Sequence, residues 1–178
     1  MIKKKLQEQA GFTLIEMLIV VILLGILAML IIPQISVSTA DANINTLQTN
    51  LASMRNAIEL YYHQHNEAYP GRKKTDGTGT DTAAADLPAA FTDQLTKYTD
   101  VNGGTSNVKD AAHPFGPYLK SQTLPTNPFN NKNDIVCDIV ENDITVRDST
   151  ASDNAWKFYV VTGVFIAADG TTGVHDNL

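Results

Sequence analysis

The chain has 178 residues, 43% of them hydrophobic, which suffices for one packed domain and an appendage but not for two large domains. Lys plus Arg number 13 against 19 Asp plus Glu, for a net charge of -6 with 7% aromatics and no long basic run, so the basic surface that a nucleic-acid binder needs is missing. The single cysteine, Cys137, excludes an intramolecular disulfide and any multi-cysteine zinc or iron–sulfur cluster.

Apolar residues are concentrated near the start. From Phe12 to Ile32 the chain reads FTLIEMLIVVILLGILAMLII, with one charge, Glu16, and one hydroxyl, Thr13. As a helix rising about 1.5 Å per residue this covers roughly 31 Å, the hydrocarbon thickness of a bilayer. Lys3, Lys4 and Lys5 precede it, and the positive-inside rule then holds the N-terminus in the cytoplasm and sends everything after Pro33 across the membrane. Two plainer readings compete. A cleaved secretory signal could use Ser38-Thr39-Ala40 and leave a chain starting at Asp41, although the apolar run exceeds the usual length of about 7 to 15 residues. A plain signal anchor leaves Glu16 unexplained, since a carboxylate at a helix centre in lipid costs about 2.5 to 3.5 kcal/mol.

The residues around Glu16 carry a resemblance. Gly11-Phe12-Thr13-Leu14-Ile15-Glu16, after a Lys-rich leader and before an unbroken apolar run, resembles the prepilin processing site of type IV pilins and type II secretion pseudopilins. The resemblance implies a leader, residues 1–11, cut between Gly11 and Phe12 by a prepilin peptidase that also N-methylates Phe12. It implies that Glu16 pairs with the N-terminal amine of a neighbouring subunit during assembly. Glu16 lies one helical turn beyond Phe12 on the same face, and a buried charge becomes tolerable once paired. Losing Lys3, Lys4, Lys5 and Glu8 would take the formal charge from -6 to -8. The implied setting is the bacterial inner membrane, crossed once, with residues 12–33 as the membrane and assembly segment and 34–178 as a periplasmic pilin-like domain. The implied partners are the peptidase, other copies of the chain and minor pseudopilins in a filament, and an inner-membrane assembly platform.

Beyond Pro33 the helical pattern resumes. Ala40, Ile44, Leu47, Leu51, Met54, Ile58, Tyr61 and His65 recur at alternating spacings of four and three, a single stripe on a helix running from about Thr13 to His65. The stripe predicts packing against the globular part that follows; a coiled-coil dimer is the competing reading. Gly25 and Pro33 are the weak points of this helix, and the resemblance implies that the stretch between them can lose helix in an assembled filament.

Tyr69-Pro70-Gly71 closes the helical region with a turn signature, and Arg72 to Ala85 reads as an exposed loop whose Arg72-Lys73-Lys74 cluster is solvated or meets lipid headgroups or an acidic neighbour. A short helix opens at Asp86 or Leu87 with Pro88 in its first turn and Leu87, Phe91, Leu95 and Tyr98 on one face. Val101 to Asp110 is a loop, and the four prolines between His113 and Asn131 argue against regular structure there. Ile135 to Val140, Ile144 to Arg147, Trp156 to Val161 and Val164 to Ala168 read as strands, the last two joined by a two-residue turn at Thr162-Gly163. The expected fold is α+β and pilin-like: a long N-terminal helix packed on a small C-terminal antiparallel sheet. GPYLKSQTLPTNPFN and WKFYVVTGVFIAADGTTGVH are also similar to segments of major pseudopilins. The lone Cys137 cannot form the C-terminal disulfide loop of many type IVa pilins, which shifts the resemblance from the pilus towards the secretion pseudopilus.

Major pseudopilins bind calcium in a C-terminal loop, and the resemblance implies calcium on Asp169 and Asp176, within a closing segment rich in hydroxyls and free carbonyls. The spacing matches no EF-hand and does not align residue by residue with the family's site, so an ordinary acidic loop is the favoured reading. His63 and His65 stand at i and i+2 and point apart on a helix, which disfavours a shared metal. Cys137 sits in an apolar run and reads as a buried thiol. With no phosphate-binding glycine loop, nucleophile elbow or HExxH, the chain reads as the substrate of a peptidase and not as an enzyme. The resulting expectation is a subunit of a type II secretion pseudopilus; a type IV pilus subunit and a membrane-anchored periplasmic binding module are the alternatives.

Overall fold

The structure is a computed structural model that describes residues 11–79, 86–148, 154–168, 170, 175 and 178, without the side chains of 30–38. The chain divides into two compact units, Met1–Ala42 and Asn43–Leu178. Helix α1 (Leu14–Gln64) begins in the first and ends in the second, and its backbone is helical through Gly25 and Pro33.

In the first unit every large apolar side chain from Phe12 to Met29 is between 48 and 86% exposed, on all sides of the helix. Such a surface, apolar all round, is stable only against lipid or other apolar helices. Among the described residues no helix is long and apolar enough to cross a membrane; the apolar side chains are described only as far as Met29, short of the about 20 residues a span requires.

In the second unit the stripe becomes a seam. Ile44 is half-buried, and Leu47, Leu51, Met54, Ile58, Tyr61 and His65 are buried, with Ala57 beside them, whereas Ala40 is exposed. The seam packs in one cluster with Leu87, Phe91 and Leu95 of α2 (Leu87–Thr96) and with the sheet. The competing coiled-coil reading therefore has no free seam to use from Leu47 onward. α1 ends at Gln64, where Asn66 and Glu67 adopt left-handed φ of 53° and 60° and the Glu67 N–H turns back to Tyr62 O at 3.1 Å.

α2 begins as expected, with Asp86 at its N-cap position and proline in the first turn. Tyr98 falls outside its face, in β1 (Tyr98–Thr99), which pairs antiparallel with β2 (Thr105–Ser106) inside the expected loop. Gln94, fully buried on α2, organises the loops around it: its Oε1 accepts from Gly71 N–H at 2.7 Å, and its Nε2 donates to Gly103 O at 3.0 Å and Lys73 O at 2.9 Å. The proline-rich stretch is irregular, as its composition predicts, and is tied to α2 by Tyr118 and Leu119 N–H groups donating to Leu95 O.

The main sheet has the order β3 (Ile135–Asp138), β4 (Trp156–Tyr159), β5 (Val164–Ala167). It is mixed, which corrects the expected antiparallel sheet: β4 and β5 are antiparallel, but β3 runs parallel to β4. Trp156, Phe158, Phe165, Ala167, Ile135 and Cys137 share the face on the helices, while Lys157 and Tyr159 on the other face are held at Asp148. Ile144 to Arg147 is not a strand. Asp143 Oδ1 takes the Thr145 N–H at 2.8 Å and Arg147 Nη1 takes the Ile144 and Val146 carbonyls at 2.5 and 3.1 Å, so groups that a ladder would need are used locally. Likewise Asp138 Oδ1 accepts from Val140 and Glu141 N–H at 2.9 Å each and stops β3 two residues early. The β4–β5 connection is longer than two residues, running through Val160 to Gly163 and closed by Gly163 N–H to Tyr159 O at 2.8 Å.

Gly163 has φ +75°, and a Cβ there would overlap the Tyr69 ring; Gly79, with φ +58°, has open space around it. Gly79→Ala should cost about 1 kcal/mol from backbone strain alone, and Gly163→Ala clearly more because the Tyr69 ring must move as well. Urea titration of the two variants checks the order, and equal losses would deny the steric part. His65 supplies a pH test. Its Nδ1 is 2.8 Å from Tyr61 O and its Nε2 2.9 Å from Thr99 Oγ1, and burial lowers its pKa despite the bond to Tyr61. The unfolded chain thus binds the proton first, so the contribution of His65 is full above its unfolded value of about 6.5 and declines as the pH falls from there towards the lower native value. The wild type should lose more of its urea midpoint than His65→Gln between pH 7.5 and 5.5; parallel losses would show that His65 does not titrate this way.

Candidate functional site

The start of α1 is built by two side chains. Gly11 and Phe12 precede the helix, exposed, and a Cβ on Gly11 would meet nothing within 4 Å. Thr13 and Glu16 then hold each other. Glu16 Oε2 accepts from Thr13 N–H and from Thr13 Oγ1, both at 2.7 Å, and the Glu16 N–H donates to Thr13 Oγ1 at 3.3 Å. This is a capping box, T-x-x-E, in which a threonine and a glutamate satisfy backbone donors that a helix start leaves open. The sequence reading found Glu16 but not the part played by Thr13; the three-residue spacing was the signal that could have found it. Glu16 Oε1 has no hydrogen-bond partner among the described residues, so the exposed carboxylate keeps acceptor capacity to spare.

The other expected residues are not drawn into this site. Gly25 lies on the exposed helix with open space where a Cβ would point, so none of the described residues demands glycine there. Pro33 lies within α1, and its side chain is outside the described residues. Asp169 and Asp176 are also outside them. Of the closing segment, His175 is buried with its ring 4.0 Å from that of Phe129. Among the described residues no group of three or more His, Cys, Asp or Glu could hold a metal ion. His63 is exposed while His65 is buried with both ring nitrogens engaged, and burial pushes the Cys137 thiol up to about 12.

Comparison with known proteins places this N-terminal geometry. The family model described as the prokaryotic N-terminal methylation motif matches residues 6–32. A type IV major fimbrial protein, FimA of Dichelobacter nodosus, is 37% identical over 126 residues, 65% of this chain and 80% of that protein. The chain belongs to the type IV pilin-like family. Type II secretion system core protein G of Vibrio cholerae is 36% identical over 67 residues, 38% of this pilin-like chain and 45% of that protein. Its counterpart in Pseudomonas aeruginosa is 35% identical over 68 residues, 38% and 47% of the two chains. The pilin-like chain thus spans about half the length of these core protein G relatives. No solved structure matches it significantly. These relatives are structural subunits and not enzymes, and the pilin-like chain stands with them as a structural protein.

The capping box predicts a local effect. In Thr13→Val both threonine hydroxyl bonds are lost, and the first turn should weaken by about 1 kcal/mol. Amide exchange at residues 14–17 of the detergent-solubilised chain should then quicken about fivefold, with exchange in the Leu47–Tyr61 seam unchanged. Equal exchange at 14–17 in both proteins would show that the box does not hold the helix start.

Proposed function

We propose that the chain is a structural subunit of a type II secretion pseudopilus, processed by a prepilin peptidase and assembled into a helical filament that supports protein export. The observation that carries this reading is the Thr13–Glu16 box, set directly after the open Gly11-Phe12 peptide and at the mouth of a helix whose apolar side chains are exposed all round. In this proposal residues 1–11 are the leader, 12–33 the membrane and assembly segment, and 34–178 the periplasmic domain. Cleavage after Gly11 frees an amine at Phe12, which the peptidase methylates. Before assembly the chain sits in the inner membrane with its N-terminus in the cytoplasm; an assembly platform then draws it out to stack on other copies and on minor pseudopilins.

Glu16 acts twice in this proposal. Oε2 keeps the helix start formed, and the charge, with Oε1 free, receives the Phe12 amine of a neighbouring copy. Gly25 and Pro33 are the points at which the helix yields as copies pack, since one lacks side-chain contacts and the other lacks an N–H. A type IV pilus subunit is the second reading, favoured by the similarity to FimA over 80% of that protein.

Intact-mass and N-terminal peptide analysis of the membrane-extracted protein tests the proposal. The expected chain starts at N-methyl-Phe12, and a start at Met1 or Asp41 would sink the processing reading. Glu16→Gln keeps an oxygen able to accept from Thr13 but removes the charge, so it should be processed normally yet drop out of filaments; normal assembly would refute the pairing role. Filaments recovered from the cell surface by shearing would decide for the pilus over the pseudopilus.

A further inference from the structure

A cleft of about 380 Å³ opens on the second unit and is lined by Arg55 and Glu59 of α1, Arg147, Val164 and Phe165 of β5, and Leu178. Its two guanidinium groups are fixed in place by backbone oxygens. Arg55 donates from Nε and Nη2 to Phe165 O, at 3.3 and 3.0 Å, taking a carbonyl of β5 at the edge of the sheet. Arg147 donates from Nη1 to Ile144 O and Val146 O. Neither residue forms an ion pair among the described residues. Each guanidinium carries five donors, so among the described residues Nη1 of Arg55 and both Nε and Nη2 of Arg147 have no partner.

The two charges feel each other. Arg55 is half-buried, and both its desolvation and the neighbouring Arg147 charge pull its pKa below the ordinary value. Glu59, which also lines the cleft, is exposed. Two held arginines that repel each other, with donors to spare and no carboxylate paired to them among the described residues, form a fork that fits the oxygens of a phosphate or carboxylate group. The chain as a whole is acidic, at -6, so this is a local feature and not part of a generally basic surface.

We propose that Arg55 and Arg147 form an oxyanion-binding cleft that takes a phosphate or carboxylate group. The group is supplied either by a free small anion or by an acidic side chain of a second copy of the chain, and the two sources share the same recognition chemistry. Arg55 is the more fixed member, held to the sheet edge, and Arg147 closes the site from the β3–β4 connection.

The test uses the full chain in detergent, titrated with inorganic phosphate at ionic strength matched by chloride, and reads the thermal midpoint and the sedimentation velocity. Phosphate should raise the midpoint of the wild type by about 3 °C near saturation and leave Arg147→Gln unmoved. Arg55→Lys, which keeps the charge but loses the fork, should show at least a threefold weaker response. If phosphate acts equally at low and high protein concentration, the ligand is a free anion. If instead phosphate dissociates self-associated chains, and Arg147→Gln self-associates less than the wild type, the occupant is a neighbour's carboxylate; both results support the cleft. A phosphate response identical in wild type and Arg147→Gln overturns the proposal, as does no response together with unchanged self-association of the variant. Equal midpoints of the two proteins in chloride show that the variant is folded.

Discussion

The apolar cluster shared by the buried stripe of α1, by α2 and by the inner face of the sheet is the constraint on which the rest of the domain depends. Strands of four residues do not stand alone, and a three-stranded sheet of them needs a helix to cover its apolar face. Leu47, Leu51, Met54, Ile58 and Tyr61 provide that cover for Trp156, Phe158 and Phe165. Phe91 joins the contact from α2, its ring 4.8 Å from that of Phe158 and 6.3 Å from that of Phe165. Each fully buried large side chain contributes about 1.5 to 3 kcal/mol, so the cluster outweighs any single polar bond in the domain. The loops are then fastened to this core by buried polar side chains that replace water: Gln94 for the 71–74 and 103 segments, His65 for Thr99, and Asn127 for Ala155.

Along α1 the pattern changes from apolar on every side to apolar on one stripe, and the change marks two different neighbours. A stripe can be covered from within the chain, and from Leu47 onward it is. A helix apolar all round cannot be covered by a sheet on one side, and the side chains from Phe12 to Met29 are exposed accordingly. From Leu47 onward the stripe is thus covered within the globular unit, while the apolar side chains from Phe12 to Met29 are covered by none of the described residues.

Much of this was legible in the sequence because it rests on periodicity. The spacing of four and three from Ala40 to His65 contains the seam, which is buried from Leu47 onward, Pro88 marks the start of α2, and the apolar clusters 135–140, 156–161 and 164–168 contain the three strands, each running past the observed end by one or two residues. What escaped notice lies in competition between side chains and backbone. Ile144 to Arg147 has strand-like residues, yet Asp143 and Arg147 capture its backbone groups. With that strand removed, the connection from β3 becomes a crossover and β3 can lie parallel to β4, a direction that no local pattern encodes. At the N-terminus Glu16 was conspicuous as a charge in an apolar run, whereas Thr13 was not, since one hydroxyl at a helix start attracts notice only when paired with the glutamate three residues on. The Arg55–Arg147 cleft joins residues far apart in the chain, and only the fold brings them together.

The capping box also bears on how a carboxylate is kept in so apolar a segment. A glutamate with no partner in lipid would be expelled, and one neutralised permanently within its own chain would have nothing left to offer a neighbour. The Thr13 donors avoid both extremes: they are neutral, so they solvate one oxygen of Glu16 without cancelling its charge. In the proposed assembly the missing positive charge is an amine that exists at Phe12 only after the leader is removed, because before cleavage that nitrogen is an uncharged peptide N–H. An unprocessed copy can form the same helix start with the same hydrogen bonds, yet it has no charge to give the Glu16 of the copy beside it. In the proposed assembly the need for processing would then follow from the electrostatics of Glu16.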